Sequence, residues 1–493
     1  MGQIRKQTII SSMIIYFGFF IGVFNMLVLF PRYIPVEYMG LTKVIQDFSI
    51  LLASFASLGF TAPFFRFNPH YQKYTLAGRN DLLQLYLVVV HIGIALVLVL
   101  YFFLKDTITG YFNAKSPLFS TYYYNALIFS YLLLIFNVME LYLNSKGESV
   151  IQTFSRELVM RILILLLIVA VLFGLPLRYF VHLFSIHYII PILLLMWHIK
   201  TKFPAPIGVM FSKTTRRLFP YILSMSGFGI FQYAVSASLP VIDTLIVGGM
   251  VGLDGVANYL ISGYIATLVH VPVRATAGVL GARIADFWKD NKIDRIQEMY
   301  QRTSMSYLIF SVFIVTIILL NINLFQYVVG TNLIISLNVV GCLVAAKIFE
   351  MSTGLSNIIL IYSKKWKLDI FLSVISIAIS IPINVHFVGK WGIFGAAFST
   401  LILTMLTFSL RIGILYFIYK LFPFKRDTII FIFFSVLLSG FFYWLSLRTE
   451  NFWIKIYLTI FYSIIYLTFV ISFKFSKDIN IVFNAILKRL SIK

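Results

Sequence analysis

The sequence predicts an all-α, polytopic membrane protein with fourteen transmembrane helices: two six-helix bundles in pseudo-two-fold repeat, followed by two further helices. Three observations carry this expectation. Of 493 residues, 60% are hydrophobic and only 12% charged, whereas a soluble domain carries about 25% charged residues. That much apolar surface cannot be hidden in a water-soluble core, so the chain needs lipid as a solvent. Runs of about 20 apolar residues, the length that crosses the hydrocarbon, recur from end to end. Finally, lysines and arginines collect in alternate connections between these runs.

Taken in order, the first run is 9–30, too long for the apolar core of a signal peptide and with no small-residue cleavage site after it. The runs 44–65, 82–104, 119–144, 150–173 and 177–198 complete a first set of six. A second set is 219–247, 255–282, 304–326, 333–362, 368–388 and 393–419, and the runs 428–447 and 452–473 finish the series. Connections are short. The two longest, near 199–218 and 283–303, leave no room for an extramembrane catalytic domain. Within the second, residues 286–301 carry Ile293, Ile296, Met299 and Tyr300 at helical spacing and predict an amphipathic interfacial helix joining the halves.

With the N-terminus inside, 30 lysines and arginines fall on the inner side and 8 on the outer, while Arg274 and Lys347 remain within spans. This asymmetry predicts an even number of spans and cytoplasmic termini. It also accounts for the net charge of +22 without nucleic acid, because the basic residues punctuate apolar runs instead of lining a soluble face. The single cysteine, Cys342, excludes an intrachain disulfide and a cysteine metal cluster.

A shift of 215 residues lays Tyr38-Met39-Gly40-Leu41 over Leu253-Asp254-Gly255-Val256, each read as a tight outer turn before a second span. Arg66 and Arg283 then stand near the inner ends of those second spans, with His70-Tyr71 and Phe287-Trp288 just beyond. The predicted organisation is a bundle over 1–200, a basic cytoplasmic linker over 201–218, a second bundle over 219–420, and two more helices with a tail over 421–493. Two like-oriented bundles are a transporter plan, with the substrate path between them.

Enzyme signatures are absent. A would-be phosphate loop ending in Lys213-Thr214 has Ser212 where glycine is required, and neither HExxH nor GxSxG occurs. No enzyme activity, cofactor or metal is expected. What remains are ionisable groups at membrane depth, which cost at least about 2.5–3.5 kcal/mol each at a helix centre. Arg274, in Val269-His270-Val271-Pro272-Val273-Arg274, reads as a cavity cation that meets a phosphate, or as half of a structural pair with an acid such as Asp243. Pro272 is expected to free a carbonyl beside it. Lys347 and Glu350, three apart on one helix face, either neutralise each other or serve the cavity. Asp243 is a candidate proton or sodium site, or an interfacial residue. Arg66 and Arg283 either snorkel at helix ends or form a vestibule for an anionic headgroup. Glu140, Arg156, Glu157 and Arg161 gather at the inner ends of the fourth and fifth spans as an ion-pair cluster.

Pro382-Ile383-Asn384 and the stretch from Gly389 to Thr400, with Gly392 and Gly395, resemble the turn before the twelfth span of Wzx-type polysaccharide flippases. Val36-Glu37-Tyr38-Met39-Gly40-Leu41, Ser57-Leu58-Gly59-Phe60 and Arg66 are similar to the opening of the same family, whose fold superfamily includes MATE exporters and the lipid II flippase. The resemblance implies a flippase of a bacterial inner membrane. It would carry an undecaprenyl-diphosphate-linked oligosaccharide to the outer leaflet for O-antigen, capsule or exopolysaccharide assembly, in the company of membrane lipid and other glycan-assembly membrane proteins. Arg274, helped by Arg66, Arg283 and Lys347, would offset the diphosphate charge. A MATE-type exporter of cations is the first rival and would want an acid-dominated cavity. A glycosyltransferase or glycan polymerase would want a substantial outer loop. A membrane scaffold has no use for buried cations.

Overall fold

The computed structural model describes residues 2–74, 81–203, 211–330, 333, 335–449, 451–476 and 479–481. Among these the backbone is helical and contains no strand. A helix bonds all its own amides, the only way a lone apolar segment can enter hydrocarbon. The principal helices are α1 (Ile10–Tyr33), α2 (Val36–Ala56), α3 (Thr61–Tyr74), α4 (Leu82–Phe103) and α5 (Tyr123–Ser145). Then come α6 (149–172), α7 (Leu177–Lys202), α8 (Lys213–Ser238), α9 (Ile242–Met250), α10 (Leu253–Thr267) and α11 (Val271–Lys289). The remainder are α12 (Ile293–Leu320), α13 (Leu337–Ser352), α14 (Ser356–Tyr362), α15 (Lys367–Trp391), α16 (Ile393–Tyr419), α17 (Arg426–Leu447) and α18 (Phe452–Ser472).

Among the described residues, eleven helices are long and apolar enough to cross a membrane, or thirteen if two bent pairs, α8 and α13–α14, each count as one span. The helix α6 has spanning length but carries Arg156, Glu157 and Arg161 within its first four turns.

Several sequence boundaries shift for physical reasons. The second span starts at Val36, not residue 44, and stops at Ala56 because Leu58 (φ 47°) and Gly59 (φ 66°) turn the backbone left-handed. Gly40 and Gly255 are therefore not turns; both sit in the first turns of helices, α2 and α10. The seventh span divides after Ser238, and Asp243 opens the separate short helix α9. The expected interfacial helix over 286–301 is cut at Asn291 (φ 55°), its halves belonging to α11 and α12. The expected tight turn before the twelfth span is present: Gly392 (φ 59°) alone separates α15 from α16. Of the expected linker over 201–218, the stretch 204–210 lies outside the described residues, and Lys213, Arg216 and Arg217 are already helical in α8.

The chain packs as two compact units: Met1–Leu260 with Val388–Ile393, and Ile261–Phe387 with Phe394–Lys493. In the first, α2 is central and packs against α4, α5 and α8. Its Ser49 hydroxyl is satisfied inside the bundle, 2.6 Å from Ile45 O and 2.8 Å from Ala126 O. Tyr101 and Tyr123 stack at 4.0 Å and exchange bonds, each hydroxyl donating to the other's carbonyl at 2.9 and 2.7 Å. Gly40 meets the backbone of α10 so closely that a Cβ there would lie 2.0 Å from Leu253 O.

In the second unit, α17 and α18 pack on α12. Phe431, Tyr462 and Tyr466 bury beside Met305, Leu308 and Ile309, and the Tyr466 hydroxyl donates to Ile309 O at 2.6 Å. The outer surfaces of these helices stay apolar and open, as with Phe433 on α17 and Phe461 on α18, which suits contact with lipid.

Candidate functional site

In the second unit, two interrupted helices meet through side chains. The first interruption follows from Pro272. Having no N–H, proline is tolerated in the first turn of a helix and not inside one. The chain therefore leaves α10, makes a 3₁₀ turn over Leu268–His270, and restarts as α11 with Pro272 in its opening turn. The expectation of a freed carbonyl within a continuous helix is replaced by this restart. The second interruption separates α13 from α14, with a bend of 49°. Glu350 occupies the last turn of α13, beside that break.

His270 Nε2 lies 3.1 Å from Glu350 Oε1, and Lys347 Nζ lies 2.7 Å from Glu350 Oε2. One carboxylate thus holds two breaks together, using both oxygens, and all three side chains are only half-buried. One turn on, the Thr276 hydroxyl donates to Pro272 O at 2.8 Å, which leaves Tyr307 of α12 as donor to Thr276. Breaks of this kind turn polar backbone toward a site within the membrane. Arg274 is on α11, one helical turn after His270; its side chain lies outside the described residues.

The first unit holds its own charges. Asp47 is fully buried on α2, and Lys43, one turn earlier, reaches it at 2.6 Å. Arg156 of α6 donates from Nε to Glu140 Oε1 of α5 at 2.7 Å and from Nη2 to Asn137 at 2.9 Å. Arg161 and Glu157 pair at 2.5 Å within α6. The expected ion pairs are thus present, with Glu140 five residues before the end of α5 and the other three around and just beyond a π-helical turn over Phe154–Val159. Asp243 accepts from the Tyr259 hydroxyl at 3.1 Å.

Asp81 accepts the Ser212 amide at 2.7 Å and the Thr215 hydroxyl at 2.7 Å, tying down the start of α8. Tyr71 donates to Thr215 at 2.9 Å, and burial pushes its phenol up to about 12.

Lys347 and Glu350 are therefore together, as their spacing implied, with His270 added from a distant segment. Arg66 on α3 and Arg283 on α11 are exposed and make no ion pair among the described residues. Asp47 and His270 escaped sequence reasoning. The i,i+4 spacing of Lys43 and Asp47 in an apolar run was the available signal for the first. Only folding reveals the second, since 80 residues separate His270 from Glu350.

No family model matches the sequence, and no curated protein matches it significantly. Solved structures do: the chain shares its fold with a lipid II flippase and with MATE transporters. Lipid II flippase MurJ in an inward closed conformation superposes with TM-score 0.71 at 18% identity, covering 94% of this chain and 98% of that one. An inward-facing MATE multidrug resistance transporter gives 0.61 at 14%, covering 90% and 100%. The Vibrio cholerae MATE transporter VcmN in its bent form gives 0.52 at 16%, covering 85% and 98%.

Proposed function

We propose that this protein is a transporter that flips a lipid-linked oligosaccharide, of the undecaprenyl-diphosphate class, from the cytoplasmic to the outer leaflet of a bacterial inner membrane. It acts by alternating access and without enzymatic chemistry. The carrying observation is the state of the deep carboxylates. Asp47, Glu140, Glu157 and Glu350 are each bonded to a basic side chain, so none stands free to receive a cationic drug. The cations Arg66 and Arg283 are uncommitted among the described residues. Paired acids and uncommitted cations favour an anionic cargo, and a lipid diphosphate is one that needs a protein to cross hydrocarbon.

In this reading α6 is the fourteenth span, its three charges neutralised by Glu140 and by one another. The domains are two like-oriented bundles, 1–200 and 219–420. The matching order of elements supports this: α2 is continued by α3, and α10 by α11. Arg274, with Arg66, Arg283 and Lys347, meets the diphosphate, while Glu350 and Asp243 are candidates for ion coupling. Other glycan-assembly proteins of the membrane would supply and consume the cargo.

The test is reconstitution of the full chain in liposomes with a fluorescent polyprenyl-diphosphate oligosaccharide in one arm and a cationic dye in the other. Movement of the glycolipid, lost in Arg274→Ala and partly kept in Arg274→Lys, is the expected result. Efflux of the dye with no glycolipid movement would overturn the reading in favour of a MATE-type exporter.

A further inference from the structure

Away from the charged cluster, the second unit carries a pocket of about 380 Å³ where α11, α14 and α16 end and α12 begins. Its walls include the aromatic rings of Trp288, Tyr362 and Tyr419, and its rim carries Lys289, Lys364 and Asn291. The rings are held in place. Trp288 Nε1 donates to Ile359 O at 3.1 Å, and its ring meets Tyr419 edge-on at 4.7 Å. The lysines are not. Neither makes an ion pair among the described residues, while the nearby Asp290 is taken by Lys292 at 2.7 Å. From the pocket, apolar surface continues along the helices through Ile361, Phe417 and Ile418, all exposed.

We infer that this pocket binds the anionic phosphate headgroup of a membrane lipid. Two free ammonium groups match a phosphate as point charges. The ordered rings take the amphipathic region next to it, as interfacial Trp and Tyr do. The adjoining apolar helix faces receive the chains. A soluble anion uses the lysines alone and leaves this aromatic wall without a role. Two lipids share the chemistry: a bulk anionic phospholipid and a polyprenyl diphosphate. The site is separate from the Glu350 cluster, and the inference stands whether or not the chain is a flippase.

Native mass spectrometry and thermal-shift titration of the full chain in detergent test it, with phosphatidylglycerol, undecaprenyl diphosphate, phosphatidylcholine and inorganic phosphate as probes. The Lys289→Gln/Lys364→Gln double variant is expected to bind the two anionic lipids at least about tenfold more weakly, a loss of the size that charge-assisted bonds supply. The control Lys365→Gln/Lys367→Gln, which removes the same charge from the adjacent segment, should change affinity less than about twofold. Tyr419→Leu should weaken lipid and leave inorganic phosphate unaffected. Preference for phosphatidylglycerol identifies bulk lipid as the source, and preference for the diphosphate identifies the polyprenyl lipid; either supports the site. Equal losses in both double variants, or phosphatidylcholine binding as tightly as phosphatidylglycerol, would overturn it.

Discussion

Glu350 illustrates how one side chain can serve two helices. Removing Lys347 leaves a half-buried carboxylate with only His270, and removing Glu350 leaves a cation facing a helix break. Stranding a charged group in this way costs about 1–3 kcal/mol. Replacing both with apolar residues removes the mismatch. Lys347→Met and Glu350→Met should therefore each lower the melting temperature, while the double variant recovers most of the loss. Additive losses in the double variant would mean that the pair is not coupled.

A second residue-scale prediction concerns pH. Glu148, between α5 and α6, is 2.5 Å from Lys202 at the end of α7, and this bond holds its carboxyl below the usual range. A depressed carboxyl stabilises the fold above its unfolded pKa, and this contribution fades as pH falls through the folded value. The melting-temperature difference between wild type and Glu148→Gln should be largest near neutrality and shrink toward pH 4. A difference independent of pH would contradict the pairing.

At the scale of elements, close approach of backbones decides which helices can cross. A methyl at Gly40 would lie 2.0 Å from Leu253 O, so α2 and α10 would have to part. At Gly59 a Cβ would meet the Ile230 amide at 2.2 Å, on a residue whose φ of +66° already excludes most side chains. Overpacking of this kind costs about 1–3 kcal/mol. Gly263 in α10 has nothing within 4 Å of its Cβ position. Alanine there should be neutral or gain about 0.5–1 kcal/mol of helix propensity. Thermal scans of Gly40→Ala, Gly59→Ala and Gly263→Ala should separate the first two from the third. Equal stability for all three would show that neither approach constrains the packing.

For the whole molecule, charge asymmetry makes a claim about sidedness. In a Cys342→Ser background, single cysteines at Lys289 and at Lys390 should label from opposite faces of the membrane, with Lys289 cytoplasmic. Labelling of both from one face would refute the topology.

The membrane character and the succession of helices could be read from the chain because length of apolar run and spacing of charge are properties of local sequence. So could the Lys347–Glu350 face and the glycine turn before α16, each spanning a few neighbouring residues. The tertiary structure decided the rest. Pro272 announced a disturbance, but whether it kinks a helix or starts a new one depends on what can satisfy the interrupted backbone. Gly40 looked like a turn residue and proved to be a point of contact, because a missing side chain serves either purpose. Asp47 and Glu140 could be buried only once Lys43 and Arg156 were in reach. His270 joined Glu350 because folding brought together two helix breaks, and no local pattern encodes a meeting across that distance.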